Sequence, residues 1–236
     1  MSIETWRSPG VAALGLRTLH PAPQAAVRLL CFPDADESAG DYLPAARALA
    51  PDIEVVSVQN RLAEVVCDAI GSITGPVALF GHGMGATLAF EVAYRLEAAG
   101  RTPVCLIVSG SRAPSRQRPS GPHLLDDNAL LAHLRQLAGT AAGFLDDDET
   151  RRLFLPVIRS GYQALETGPQ LAGARLRCPI TALGGDLDPQ AGLDDVRAWA
   201  DHASGGFSFR AFSGGRSFLD DHRSAVLDLI RATVRR

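Results

Sequence analysis

The sequence predicts an α/β fold with a mostly parallel sheet and helices on both of its faces. Short apolar runs alternate with amphipathic helical segments along most of the 236 residues. The apolar runs are nearly continuous and do not alternate with polar residues, which is the composition of strands buried on both faces. These two observations favour a parallel sheet over an antiparallel sandwich or a helical bundle.

Six strands are predicted from apolar or β-branched runs that end near Gly, Pro, Ser or Asp. They cover residues 27–32, 53–58, 77–80, 104–109, 180–183 and 207–212. Helices are predicted from apolar residues at helical spacing. They cover residues 42–49, 62–70, 86–99, 126–139, 147–155, 155–165, 193–202 and 221–234. The segment 86–99 has the clearest end, because Gly100 follows it.

One domain is predicted for residues 1–236, with a helical lid inserted at about 111–172. The apolar fraction of 46% is ample for a single core. Within the insertion a loop rich in Ser, Arg and Pro precedes helices that follow one another without a strand. A helical segment between two strands of a sheet is typical of a lid or of the cap of a substrate channel.

The composition argues against several classes of function. The net charge is −3, so no nucleic-acid partner is expected. No run reaches the ~18 apolar residues of a membrane helix, and the first residues lack a signal-peptide pattern, so we expect no membrane association and a cytoplasmic location. The 4 cysteines match no metal spacing and no phosphate-binding or dinucleotide fingerprint occurs, so no cofactor and no metal site are expected.

A strand–turn–helix motif marks the candidate site. Gly81-His82-Gly83-Met84-Gly85 follows a buried strand and opens a helix, which is the context of the nucleophile elbow G-x-S-x-G. The central residue of that motif carries the nucleophile. Here it is Gly83, which has no side chain to attack a carbonyl.

The chain resembles the type II thioesterases of polyketide and nonribosomal peptide pathways, within the α/β-hydrolase superfamily. The matching segments are Leu29-Leu30-Cys31-Phe32-Pro33, Ala78-Leu79-Phe80-Gly81-His82, Met84-Gly85-Ala86, Val108-Ser109-Gly110-Ser111-Arg112-Ala113-Pro114, Leu183-Gly184-Gly185-Asp186 and Phe218-Leu219-Asp220-Asp221-His222. The resemblance implies an α/β-hydrolase fold with a helical lid. It also implies hydrolysis of acyl groups from carrier-protein phosphopantetheine arms by Ser, His and Asp.

The sequence departs from this family at the positions that carry the chemistry. Gly83 stands at the nucleophile, and Arg216 stands at the His of a G-G-H-F-F segment. An Arg cannot act as a base near neutral pH, because its pKa exceeds ~12. Asp188 matches the family's acid. The family's F-P-H-A-G-G segment helps form the oxyanion site, and here Asp34 and Asp36 replace part of it with carboxylates that oppose a developing negative charge.

We therefore predict a non-hydrolytic, thioesterase-like enzyme that cyclises, dehydrates or isomerises a polyketide or peptide–polyketide intermediate by carboxylate acid/base chemistry. The partners are then that small molecule and, as a further candidate, an acyl carrier protein. The candidate catalytic residues are Asp34, Asp36, Asp188 and Arg216. The candidate substrate-binding residues are Phe32, His82, Gly83, Met84 and Tyr162.

Other interpretations of the same residues remain open. Asp34, Asp36 and Glu37 would also suit the cap of the helix that starts near Tyr42, or a solvated loop. Asp188 and Arg216 would suit a salt bridge that fills the old catalytic space, and His82 a packed side chain. Two other functions also fit the sequence. One is a non-catalytic protein that binds an intermediate or a carrier protein, and the other is a residual acyl-thioester hydrolase.

Overall fold

The computed structural model describes residues 15–34, 37–59, 63–117, 122–138, 143, 145–167 and 171–235, and it contains a single seven-stranded sheet. The strand order is β1-β3-β2-β4-β5-β6-β7. β1 runs antiparallel to β3, and every other neighbouring pair is parallel. This is the mostly parallel α/β architecture that the sequence predicts.

The strands are β1 (Leu16–Thr18), β2 (Val27–Phe32), β3 (Ile53–Val58), β4 (Val77–His82), β5 (Leu106–Ser109), β6 (Ile180–Gly185) and β7 (Phe207–Phe212). The α-helices are α1 (Leu43–Leu49), α2 (Ala63–Gly71), α3 (Met84–Ala98), α4 (Asp127–Ala138), α5 (Asp148–Thr167), α6 (Leu193–Arg197), α7 (Phe218–Asp221) and α8 (Arg223–Val234). Short 3₁₀ turns precede α1 and follow α6.

The sheet separates two apolar cores, because successive side chains of a strand point to opposite faces. In β2, Leu30 and Phe32 join one core, whereas Leu29 and Cys31 join the other. The second core includes apolar residues of α8, among them Ile230. Helices therefore cover both faces of the sheet.

The predicted strands are confirmed, with ends that shift by up to two residues, and several other features differ from the prediction. The predicted helix 221–234 is divided into α7 and α8, and the predicted helix 193–202 is α-helical only as far as Arg197. The short edge strand β1 was not predicted. Residues 147–155 and 155–165 belong to one helix, α5, which contains Pro156. Leu155 and Ile158 are both buried on the same side of this helix, so packing maintains the helix through a residue that normally interrupts one.

The chain between β5 and β6 builds a third apolar cluster of its own. Its members come from α4, α5 and the turn between them, and they are Leu130, Leu131, Leu134, Leu145, Leu155 and Ile158. No strand occurs among the described residues of this segment. In the part of the chain that the structure describes, no helix is both long enough and apolar enough to cross a membrane.

His202 forms hydrogen bonds with both ends of the helical segment between β5 and β6, at Ser115 and at Ala174. The residue is only 1% exposed. Nε2 accepts a hydrogen bond from the N–H of Ser115 at 3.2 Å, and Nδ1 lies 2.8 Å from the carbonyl of Ala174. Since an N–H can only donate, Nε2 is unprotonated and Nδ1–H donates to the carbonyl. Burial lowers the pKa of His202, which favours this neutral form.

Acidification should weaken the hydrogen bonds by which His202 connects Ser115 and Ala174. A His has a pKa of ~6.5 when unfolded. Because folding lowers the pKa of His202, its contribution to stability is complete above that value and is lost as pH falls below it. We expect the free energy of unfolding in urea to fall more steeply from pH 7.5 to 5.5 for the native protein than for His202→Gln, by at most about 1.4 kcal/mol per pH unit.

The matched control for this prediction is His20→Gln, at an exposed His. It should keep the pH dependence of the native protein. Identical pH slopes for His202→Gln and the native chain would contradict the assignment.

Candidate active site

Four loops at the carboxyl edge of the sheet carry the candidate residues. Asp34 follows β2, Gly83 follows β4, Asp188 follows β6 and Arg216 follows β7. β2 and β4 lie side by side with Phe32 opposite Gly81, so their loops meet directly. This edge is where open α/β sheets bind ligands.

Gly83 adopts the backbone conformation of a nucleophile elbow, with φ of 53° and ψ of −120°. Its N–H donates to the carbonyl of Ser109 at 2.9 Å. A Cβ at this position would come closer than 3.0 Å to the carboxylate of Asp34 and to Nη2 of Arg216. The missing side chain of Gly83 therefore leaves no open space, because these two side chains fill it.

The carboxylate of Asp34 occupies the oxyanion position as well. Its Oδ1 accepts a hydrogen bond from the N–H of Met84 at 3.0 Å. In a nucleophile elbow, the N–H that follows the nucleophile is an oxyanion donor. Oδ2 forms an ion pair with Nη2 of Arg216, and the Asp34 side chain is 2% exposed. One carboxylate thus fills the nucleophile space and also takes up an oxyanion-type donor.

Glu37 and Tyr42 hold the Asp34 loop in place. Oε2 of Glu37 accepts from the N–H of Asp34 at 2.9 Å and from the hydroxyl of Tyr42 at 2.7 Å. Burial first, and the neighbouring Glu37 carboxylate second, raise the pKa of Tyr42, so the hydroxyl stays a donor. Sequence reasoning missed this role.

The 3₁₀ turn that follows this loop is capped by a different residue. The cap interpretation of the acidic loop is wrong for Asp34, since Ser38 caps the first turn in a capping box with Asp41. Asp36, the other candidate of this loop, lies outside the described residues.

Arg216 is held by two neighbours. Nη2 pairs with Asp34, and Nη1 donates to Oε1 of Gln190 at 2.7 Å. Burial lowers the pKa of Arg216 to about 10, so the guanidinium remains a cation at neutral pH. The alternative in which Arg216 forms a salt bridge with Asp188 is wrong for this structure, because the arginine pairs with Asp34 instead. Gln190 was not recognised from the sequence.

Asp188 is a buried carboxylate with one satisfied oxygen. Oδ1 accepts from the N–H groups of Gln190 at 2.8 Å and Ala191 at 3.3 Å. Oδ2 is buried and has no hydrogen-bond partner among the described residues. Since most buried polar atoms are paired, this oxygen is an acceptor to which a ligand could donate a hydrogen bond.

The other candidate residues have different surroundings. His82 is 5% exposed, and its Nδ1 lies 3.1 Å from Oγ of Ser109. Phe32 is completely buried in the first core, which argues against direct contact with a ligand. Met84 is half-buried and contributes its N–H. Tyr162 packs against the helical cluster, with its ring 5.8 Å from that of His133.

The described residues include no group of three or more His, Cys, Asp or Glu arranged to hold a metal ion. The site therefore consists of an ion pair, a second buried carboxylate and the amide that joins them.

Comparison with known proteins gives a consistent family. The thioesterase-domain model matches residues 27–234. The chain is 43% identical over 229 residues to the thioesterase PikA5 of Streptomyces venezuelae, covering 89% of this chain and 82% of that protein. It is 41% identical over 232 residues to a probable cadicidin biosynthesis thioesterase of Streptomyces griseus. That match covers 91% of this chain but only 64% of the relative's length.

Solved structures agree with these relatives. The type II thioesterase BorB from the borrelidin biosynthetic cluster superimposes with a TM-score of 0.82 at 41% identity, covering 94% of this chain and 98% of that chain. The thioesterase RedJ from the prodiginine pathway of Streptomyces coelicolor gives 0.81 at 33% identity, covering 91% and 95%. The chain therefore belongs to the thioesterase family and shares the fold of the type II thioesterases from polyketide and nonribosomal peptide biosynthesis.

Proposed function

We propose that this chain is a thioesterase-family protein of polyketide or peptide–polyketide biosynthesis that binds an acyl intermediate without hydrolysing its thioester. The observation that carries the proposal is the position of the Asp34 carboxylate. It lies over Gly83, where a nucleophile would stand, and it accepts the N–H of Met84, which a thioester oxygen would need.

Hydrolysis by the family's mechanism requires a nucleophile, a base and free oxyanion donors. Gly83 offers no nucleophile, and Arg216 offers no base because it remains protonated at neutral pH. Loss of a single oxyanion donor typically reduces turnover by about 10²- to 10³-fold, and loss of the catalytic triad by about 10⁶-fold. All three requirements fail together at this site.

The biosynthetic setting is inferred from the relatives. PikA5 and RedJ are thioesterases, the latter of a prodiginine pathway, and BorB comes from a borrelidin cluster. A small-molecule acyl intermediate and its carrier protein are the corresponding partners. The helices between β5 and β6 would act as the lid over the intermediate. The 4 free cysteines suit a reducing compartment, and the cytoplasm is the compartment we propose.

A second candidate function is an enzyme that transfers protons during cyclisation, dehydration or isomerisation. The observation that favours it is Oδ2 of Asp188, a buried carboxylate oxygen with no hydrogen-bond partner among the described residues. A carboxylate in such surroundings can accept or return a proton when a substrate reaches it. Arg216 would then stabilise the enolate or carboxylate that forms.

The first experiment measures thiol release from acyl-N-acetylcysteamine thioesters by the purified protein. We expect no release above the uncatalysed background, because the nucleophile and the base are missing and the oxyanion donor of Met84 is occupied by Asp34. The type II thioesterase BorB is the positive control. Release that disappears in Asp34→Asn would contradict the proposal and identify a residual hydrolase that uses a carboxylate-activated water.

The second half of the test separates binding from proton transfer. The gene is deleted in the producing strain and replaced with native or Asp188→Asn protein, and metabolites are profiled by mass spectrometry. A binding protein predicts a lower yield of an unchanged product, restored by both versions. Accumulation of an isomer, or of a compound heavier by one water, that only the native protein removes would favour the enzyme.

A further inference from the structure

Arg216 is connected to two buried carboxylates, directly to Asp34 and through Gln190 to Asp188. Asp34 is in contact with Nη2 of the guanidinium. Asp188 is linked to Arg216 through a shared neighbour, and its Oδ2 has no hydrogen-bond partner among the described residues. A buried acceptor without a partner is costly, and an arginine is a strong donor to carboxylates. Charge alone therefore does not explain why Arg216 pairs with Asp34.

Gln190 is hydrogen-bonded to both Asp188 and Arg216. Its N–H donates to Oδ1 of Asp188 at 2.8 Å, and its side-chain Oε1 accepts from Nη1 of Arg216 at 2.7 Å. We infer that Gln190 is a positioning residue that keeps Arg216 on Asp34, and thereby keeps the Asp34 carboxylate on the N–H of Met84.

The planar shape of the guanidinium explains how the side-chain amide of Gln190 can determine which carboxylate pairs with Arg216. Its N–H donors point in fixed directions. When Nη1 is aimed at Gln190, Nη2 is aimed at Asp34. The Gln190 backbone is itself held by its hydrogen bond to Asp188, which fixes the point from which its side-chain amide reaches the arginine. Without the oxygen of that amide, we expect the arginine to turn toward Oδ2 of Asp188, a buried acceptor with no hydrogen-bond partner among the described residues.

The inference deepens the proposed function, and it rests on that function for the identity of the ligand, a bound acyl thioester. Once Arg216 turns to Asp188, Asp34 loses its cation and its hold on the space over Gly83 weakens. The N–H of Met84 then becomes available to the carbonyl oxygen of a bound acyl thioester. Gln190 thus sets how readily the site exchanges its own carboxylate for the carbonyl of a ligand.

Crystal structures of Gln190→Leu and Gln190→Glu test the positioning directly. Leu has a similar size but no acceptor, whereas Glu retains one. We expect Arg216 to lie within hydrogen-bond distance of Asp188 in Gln190→Leu and to remain on Asp34 in Gln190→Glu. An arginine that stays on Asp34 in Gln190→Leu overturns the inference. Gln190→Met, which also lacks an acceptor, serves the same purpose if the Leu variant does not fold.

Calorimetric titration with S-butyryl-N-acetylcysteamine supplies a readout in solution. We expect about 10-fold tighter binding by Gln190→Leu, the effect of one hydrogen bond made available. Gln190→Glu should bind like the native protein. A purely structural role would weaken binding in Gln190→Leu, and weaker or unchanged binding there overturns the inference. If the native protein hydrolyses the probe, the proposed function fails, whereas the crystallographic result still decides the role of Gln190.

Discussion

The triple substitution Asp34→Ala, Gly83→Ser and Arg216→His should create thioester hydrolysis that none of the three changes produces alone. We expect thiol release from an acyl-N-acetylcysteamine at least about 10³-fold above background, a small part of what a complete triad contributes. The single substitutions should stay at background. The measurement is a thiol-detection assay on the four purified proteins.

The physical reason is that the remaining parts of a hydrolase are already in place. Gly83 has the elbow conformation, and the N–H of Met84 points to the oxyanion position. Oδ1 of Asp188 is held by two N–H groups, and Oδ2 has no hydrogen-bond partner among the described residues, so we expect it to accept from an imidazole at position 216. Gly83→Ser alone fails on steric grounds, because its side chain collides with Asp34 and Arg216.

The matched control adds Asp188→Asn to the triple variant. It should return the activity close to background, since an Asn cannot stabilise the protonated imidazole. Hydrolysis by Gly83→Ser alone at the level of the triple variant would contradict the assignment of Arg216 as the residue at the base position.

Much of the fold follows from local sequence patterns. The apolar run Val27–Phe32 and the β-branched run Ile53–Val58 became strands with the predicted ends, because a strand buried on both faces has few alternatives. The gathering of Asp34, Gly83 and Arg216 at one edge could also be predicted, since parallel strands place all their carboxyl ends on the same side. The edge strand Leu16–Thr18 could not, because three residues carry too weak a pattern.

The choice of Asp34 as the partner of Arg216 could not be predicted from the sequence. The two carboxylates connected to Arg216, Asp34 directly and Asp188 through Gln190, come from separate loops of the chain, and no local pattern distinguishes them. The choice depends on Gln190, whose position is set in turn by a hydrogen bond to Asp188. Such a choice is made by the directions of a few donors in three dimensions. It requires the assembled loops and is not encoded in the spacing of the residues.

The ion pair also makes a prediction about stability. Arg216→Leu should destabilise the protein by about 2–4 kcal/mol, because it leaves the charge of Asp34 buried without a cation. The estimate stays below the largest values for buried pairs, since the Arg216 side chain is 18% exposed. The double variant Asp34→Asn with Arg216→Leu should lie within about 1 kcal/mol of the native protein, because it removes both charges together.

Urea unfolding at pH 7.5, followed by circular dichroism, measures both effects. The control pair is Arg223 and Asp220 on the surface, whose side chains are 51% and 76% exposed. Arg223→Leu should change stability by no more than about 0.5 kcal/mol. If the double variant is as unstable as Arg216→Leu, the ion pair itself contributes net stability. Selection for a stable fold is then sufficient to explain why the ion pair is present. If the double variant recovers, the pair adds little to folding, and its retention at the position of a lost nucleophile points to a role in ligand binding.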